Sequence, residues 1–315
     1  MSNSKMTNDK GVKSTMYFEA RTFWLAKDAA HSEHYQDAFA LDPLRGVAAI
    51  ADGVSSSLFS SQWAKILTAG IVAGAPEVHD SFGLFDWLGR QRSQWSASVD
   101  TNNLAWHQKA KMQQGAQSTL LWVEFWPPET SNSSPTPTLN FRAYAVGDCC
   151  LLHARGSQML RAFPIEQSAL FENKPHVLTS IDGKHDEALA FEMLEDHCQV
   201  GDVLVLCTDA IGAWALKALE DGATLLWRDF WDMSPADWSA YVARLREEQR
   251  MRYDDATLVL LRVCDPTRSA TRKPGELLDD AKRALEDSVS HVADKVSDTL
   301  SGLFDSLAGK RKKRP

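Results

Sequence analysis

Four apolar runs in this chain each carry an aspartate at one end, and that repetition constrains the fold more than any other feature. Val203-Leu204-Val205-Leu206-Cys207 passes through Thr208 into Asp209, and Val47-Ala48-Ala49-Ile50-Ala51 leads into Asp52-Gly53. In the other two the acid comes first: Asp37 precedes Ala38-Phe39-Ala40-Leu41, and Asp254-Asp255 precedes Ala256-Thr257-Leu258-Val259-Leu260-Leu261. Short unbroken apolar runs bounded by polar residues suit strands that are covered on both faces. A carboxylate delivered to the end of such a strand is costly unless it is paired, hydrogen-bonded or bound to a cation. Four strands of this design point to one shared metal site. Each acid also has a plain structural reading. Asp209 could cap a helix starting near Ile211, Asp52-Gly53 could be a turn, and Asp254-Asp255 could be an exposed pair before a strand.

The chain has 315 residues, enough for one large domain or two small ones, and its 44% hydrophobic content is that of a globular protein. A net charge of -8 argues against a general nucleic-acid binder, which needs a basic face to displace phosphate counterions. An acidic protein can still handle phosphate when metal ions supply the positive charge. The five cysteines form no CxxC pair, and several lie in or beside apolar runs, so we expect reduced, mostly buried thiols and a cytoplasmic location. No apolar run reaches the length of a membrane span, and the N-terminus lacks a signal-peptide core.

Residues 1–14 are polar and are expected to be disordered, and a single domain is expected over 15–264. Within it, strands are expected over 16–25, 37–41 and 47–51, then a helix to about residue 73 and two more between 81 and 114 with a large apolar face. A strand series follows over 118–126, 138–146, 151–154 and 159–163, with the Pro- and Ser-rich insert 127–137 as a solvent-exposed hairpin loop. An edge strand near 189–194, the strand at 203, helices over 211–219, 225–232 and 235–249, and a last strand over 256–263 complete the domain. This order is α+β, with mostly antiparallel sheets. Residues 265–274 read as a linker and 275–309 as an amphipathic helix with Leu278, Leu285, Val292, Val296 and Leu303 on its apolar stripe. Residues 310–315 form a basic tail. The helix suits a partner helix or the domain's own surface, and less well an anionic membrane.

The motifs, taken in order, resemble the metal-dependent protein phosphatase 2C (PPM) family, bacterial type. They are Gln36-Asp37-Ala38-Phe39, Ala51-Asp52-Gly53, Gly115-Ala116-Gln117-Ser118-Thr119-Leu120, Ala145-Val146-Gly147-Asp148, Gly201-Asp202-Val203 through Thr208-Asp209, and Asp254-Asp255-Ala256-Thr257. The resemblance implies a two-sheet antiparallel β-sandwich flanked by helices, with two Mn²⁺ or Mg²⁺ ions at one end. Carried over, Asp52 would bridge both ions, the Gly53 carbonyl would bind the second, Asp209 and Asp254 would hold the first, and Asp37 would support the second. The implied activity is metal-dependent hydrolysis of phosphoserine and phosphothreonine in a phosphorylated protein, by a hydroxide bridging the ions. A cognate Ser/Thr kinase is the implied partner. Asp148 and Asp202 read as structural, and Asp255 ranks below Asp254 as a ligand.

The departures are specific. The family's phosphate-gripping Arg before the first motif is absent from Ala30-His31-Ser32-Glu33-His34-Tyr35, which leaves His31, His34 or Lys27 as candidate phosphate contacts. The family's Asp-Gly-His-Gly-Gly is Asp52-Gly53-Val54-Ser55-Ser56 here, so its general-acid His is missing. The Asp-Gly after the central strand is Asp209-Ala210, which keeps the acid. These changes motivate an alternative, a pseudophosphatase that binds phosphorylated partners or regulates a kinase without turnover.

Overall fold

A computed structural model describes residues 17–78, 81–101, 104–128, 138–171, 174–182 and 191–265. The expected N-terminal disorder, most of the 127–137 insert, the 275–309 helix and the basic tail lie outside them. Two five-stranded antiparallel sheets stack face to face. The first has the order β1 (Phe18–Leu25), β12 (Ala256–Val263), β11 (Val203–Cys207), β7 (Cys150–Arg155) and β8 (Gln158–Phe163). The second has the order β10 (Glu192–Gln199), β6 (Thr138–Val146), β5 (Leu120–Trp126), β3 (Val47–Ala51) and β2 (Ala38–Asp42). A small ribbon pairs β4 (Gln117–Ser118) with β9 (Leu178–Thr179). Helices α1 (Ser60–Gly74) and α2 (Ser81–Ser98), followed by the short α3 (Trp106–Met112), lie on the side of the second sheet, and α4 (Asp209–Glu220), α5 (Trp227–Trp231) and α6 (Pro235–Glu247) cover the first. The expected α+β architecture, antiparallel sheets flanked by helices, is the one formed.

The unbroken apolar runs follow from these four layers. Successive side chains of a strand face opposite sides, so a strand inside the stack needs apolar residues at every position. Along β11, Leu204 and Leu206 enter the core between the sheets, while Val205 and Cys207 pack under α4 and α6 with Ile211, Trp214 and Trp238. Along β3, Ala48 and Ile50 face the inter-sheet core, and Val47, Ala49 and Ala51 meet Trp63 and Leu67 of α1. Small alanines at 49 and 51 let the helix approach, and indole rings fill the space above them.

Several expectations needed adjustment. The strand expected over 118–126 is split, with Thr119 between β4 and β5, because Ser118 turns away to pair with Leu178. The edge strand expected near 189–194 runs instead over Glu192–Gln199. Its polar residues hide it from a hydropathy reading, but the β6 ladder pairs it throughout and one of its faces is solvated. The apolar face expected across 81–114 is only half realised. Trp87, Leu88 and Trp95 are buried, whereas Phe82 and Trp106 are more than four-fifths exposed. The loop 27–35 contains a short 3-10 turn, Ala29–His34.

Candidate functional site

Register brings the acids together. Cys207 pairs with both Cys150 and Leu258, so the end of β11 that leads to Asp209 lies between the starts of β7 and β12, which follow Asp148 and Asp254-Asp255. In the second sheet Ala38 pairs with Ala51, setting Asp37 and Asp52 at one end of neighbouring strands. Hydroxyls join the two sheets there. The Thr208 and Thr257 hydroxyls, from the first sheet, donate to Oδ2 of Asp37 at 3.0 and 2.6 Å. Thr257 is itself hydrogen-bonded to the buried Tyr35 hydroxyl. Asp37 is thus a pin between the sheets, and its Oδ1 is buried with no partner among the described residues.

Asp52 is held by its backbone. Its N–H donates to Thr119 Oγ1 at 3.1 Å, and its carbonyl accepts from Thr119 N at 2.9 Å and from Ser118 Oγ at 2.8 Å. Gly53 bridges to Ser118, and a Cβ there would stand 2.8 Å from the Gln36 carbonyl oxygen and 2.9 Å from the Ser60 carbonyl carbon. Only glycine passes through that gap without displacing backbone. Asp209 opens α4 as its first helical residue, so the capping position falls to Thr208. One oxygen of Asp209 meets Arg252 Nη1 at 3.2 Å, and the other is buried without a partner. Asp148 likewise buries an unpartnered Oδ1.

Asp254 and Asp255 differ in burial and in partners. Asp255 is buried, and its two oxygens accept the backbone N–H groups of Lys27 and Gln36, each at 2.7 Å, tying β12 to the segment before β2. Asp254 is half exposed, and its Oδ1 stands 3.5 Å from Lys27 Nζ and accepts from Asp255 N at 2.9 Å.

The electrostatics are those of an uncompensated acidic cluster. Burial, then the charges of Asp37, Asp209, Asp148 and Asp254, push the Asp52 carboxyl well above the usual carboxylate range. Burial and then Asp255 raise Asp37 despite its two hydroxyl donors. Burial and then Asp254 raise Asp209, with Arg252 opposing. Asp148 is pushed up to about 7, by burial first and then by Asp209. Buried, mutually repelling acids with orphaned oxygens are the chemistry that a hard cation relieves. Even so, among the described residues no group of three or more His, Cys, Asp or Glu is arranged to hold a metal ion. Thr208 and Thr257 occupy Asp37, Arg252 holds Asp209, and Lys27 stands by Asp254.

The two histidines differ in placement. His31 is exposed and pairs with Asp28 through Nδ1 at 2.7 Å, which raises its pKa. His34 stacks on His31 and lines a cavity of about 700 Å³ beside the cluster. Lys27 lines the same cavity, and its Nζ donates to Ser55 Oγ at 2.6 Å. Sequence reasoning missed Arg252. Its position two residues before Asp254 was visible, but nothing local indicates that it reaches across to Asp209. No disulfide joins the five cysteines, and all but Cys264 are buried. Among the described residues no helix is long and apolar enough to cross a membrane.

No family model matches this sequence, and no curated protein matches it significantly. Solved structures show similarity at low identity. PppA, a key regulatory component of T6SS in Pseudomonas aeruginosa, is 15% identical, with 79% of this chain and 99% of that chain covered and a TM-score of 0.49. The catalytic domain of the serine/threonine protein phosphatase PstP, in complex with two manganese ions, is 14% identical over 80% of this chain and all of that one, with a TM-score of 0.47. The PPM Ser-Thr phosphatase MsPP from Mycobacterium smegmatis is 17% identical over 79% and 99%, with a TM-score of 0.44. The solved structures that this chain is similar to thus include PPM-type serine/threonine phosphatases.

Proposed function

We propose that the protein is a Mg²⁺- or Mn²⁺-dependent protein-serine/threonine phosphatase. The observation that carries this reading is the convergence of Asp37, Asp52, Asp148 and Asp209 at one end of the paired sheets, with three buried carboxylate oxygens left without partners. Asp37, Asp52, Asp209 and Asp254, with the Gly53 carbonyl, are the groups that would hold two divalent ions. When bound, the ions supply the positive charge and the activated water that hydrolysis of a phosphomonoester needs. Thr208 and Thr257 keep the Asp37 carboxylate oriented, and the backbone bonds of Asp52 fix its direction. Lys27 is the basic side chain nearest to the role of the missing Arg: it sits between Asp254 and Ser55, where it can contact phosphoryl oxygens. The substrate would be a phosphorylated protein, the partner a cognate Ser/Thr kinase and the location cytoplasmic.

A second reading rests on the two ion pairs. Arg252 on Asp209 and Lys27 beside Asp254 place protein cations where metal ligands are expected, as a pseudophosphatase that only binds phosphorylated partners would. Hydrolysis of an aryl phosphate by the full chain, with Mn²⁺ and with chelator, separates the two. Turnover that requires Mn²⁺ and disappears in Asp209→Ala supports the enzyme. Phosphopeptide binding without turnover supports the second reading.

A further inference from the structure

Arg246 stands in the last turn of α6, outside the acidic cluster, and its side chain turns toward the loops that carry the acids. Nη1 donates to the Ala26 carbonyl at 3.3 Å, Nη2 donates to the Asp254 carbonyl, and Cζ lies over the Tyr253 ring, 5.4 Å from its centroid. Each of these carbonyls belongs to a peptide unit that is also held at its N–H. The Ala26–Lys27 peptide donates through Lys27 N to Asp255 Oδ1 at 2.7 Å, and the Asp254–Asp255 peptide donates through Asp255 N to Asp254 Oδ1 at 2.9 Å. Arg246 therefore closes a ring of hydrogen bonds that runs from the Ala26–Lys27 peptide through Asp255 to the Asp254 carbonyl and back. The ring presents two charged side chains side by side, with Lys27 Nζ 3.5 Å from Asp254 Oδ1.

The guanidinium gives up solvent to make these contacts. It is half-buried, and its Nε is buried with no partner among the described residues. Burial pulls its pKa below the usual arginine range, and Tyr253, Asp255 and Asp254 oppose that shift. An arginine at the end of a surface helix needs none of this, because water and the helix dipole already suit its charge. Arg246 also differs in kind from Arg252. Arg252 holds a carboxylate oxygen of Asp209, where a metal ion would bind. Among the described residues the hydrogen bonds of Arg246 go to carbonyls, so it takes no carboxylate oxygen that a cation would use. The near end of the same loop is anchored without it, since Arg250 N and Met251 N both donate to the Leu245 carbonyl, at 2.8 and 3.2 Å. Arg246 fixes the far end, where Asp254 is.

We propose that Arg246 is a positioning residue of the metal site, which holds the Asp254 backbone against the Ala26–Lys27 peptide and so presents the Asp254 carboxylate as a ligand. This deepens the phosphatase reading and rests on it for the metal.

The test is calorimetry of Mn²⁺ binding to the full chain, as wild type, Arg246→Gln and Arg246→Lys, with urea melts of the metal-free proteins beside it. The sign of the effect separates the roles. Removing a cation near acids tightens the binding of a metal ion if charge is all that the cation contributes. Losing a group that orients a ligand weakens it, by about tenfold or more. The expected result is about tenfold weaker Mn²⁺ binding in Arg246→Gln, opposite in sign to the effect of removing Arg252. Arg246→Lys keeps the charge but loses the planar fork, and should also bind Mn²⁺ more weakly than wild type. Unchanged or tighter binding in Arg246→Gln overturns the proposal whatever the melt shows, because a merely structural contact lowers stability and leaves the affinity of the folded protein as it was. Should Arg246→Gln not fold, Arg246→Lys decides: weaker binding supports the positioning role, and wild-type affinity overturns it. A wild type that binds no Mn²⁺ sinks the phosphatase reading and the proposal together. Mn²⁺-dependent turnover in the wild type, with the same Mn²⁺ affinity in both variants, sinks the proposal alone.

Discussion

Replacing Asp148 by Asn should stabilise the metal-free protein at pH 8. Asp148 is 5% exposed, and its carboxyl is pushed from 3.8 up to about 7, by burial first and by the charge of Asp209 next. An acid whose pKa is raised by folding makes its full contribution below its unfolded value, and loses it as pH rises through the folded value. The gap is roughly three pH units, so ionising this side chain in the folded state costs about 4 kcal/mol at most once pH passes 7. Asn keeps the shape and never ionises, but its amide NH2 is a new donor that needs an acceptor, which takes back about 1–2 kcal/mol. The net gain expected at pH 8 is about 2 kcal/mol. At pH 5.5 the wild-type carboxyl is mostly protonated in the fold, and about half of the cost is gone. Urea denaturation with chelator at the two pH values measures this, and the advantage of Asp148→Asn should shrink by about 2 kcal/mol at the lower pH. An equal effect at both pH values, or destabilisation at pH 8, would mean that Asp148 does not carry this strain.

Thr257→Val removes one hydroxyl donor from the buried Asp37 carboxylate and should cost about 1–3 kcal/mol in a chemical melt, since the acid keeps only Thr208. Gly53→Ala forces a Cβ against the Gln36 and Ser60 backbone and should lower stability by about 1–3 kcal/mol; an unchanged Tm would show that the gap is not tight. At the far end of the sandwich, burial would raise the Asp202 carboxyl, but bonds from Arg155, His153 and the Gln199 N–H outweigh it and hold it below the usual range. Its contribution is therefore present above the ordinary carboxylate value and lost only as pH falls through the depressed folded value, so Asp202→Asn should cost about 2–3 kcal/mol at pH 7 and keep most of that cost at pH 3. Arg252→Gln removes the cation on Asp209 and should tighten Mn²⁺ binding about fivefold by calorimetry; weaker binding would make Arg252 a support of the site instead of a competitor.

The parts of this fold legible in the sequence are those where one physical requirement dominates. β3, β11 and β12 are apolar at nearly every position because both of their faces are covered, and their ends could be placed to within a residue or two. β10 was placed poorly because its exposed face dilutes the signal, and its pairing with β6 is set by a partner some fifty residues away. The acids were legible as a set, because strands ending alike in Asp are rare without a shared reason. The hydroxyl pin was not. Thr208 and Thr257 look like ordinary strand residues, and only the register of two sheets makes them donors to Asp37. Arg252 and the lysine-lined cavity were hidden for the same reason, since both depend on loops meeting in space.

The two readings of the site turn on how strongly its own cations hold the acids. Arg252 is 39% exposed in its pair with Asp209, and the partners Lys27 and Asp254 are 28% and 45% exposed at 3.5 Å. Pairs of this exposure contribute about 0.2–1 kcal/mol each. Displacing both would weaken a metal site by no more than about thirtyfold, because each 1.4 kcal/mol is a factor of ten. Against this stand four carboxylates, Asp37 and Asp148 buried and Asp52 and Asp209 partly so, whose pKa values are all raised by burial first and then by neighbouring acids. On this balance we expect Mn²⁺ to displace the internal pairs, so that Arg252 and Lys27 lower the affinity for metal without abolishing it, and calorimetry on the wild type that detects no Mn²⁺ binding would refute the expectation.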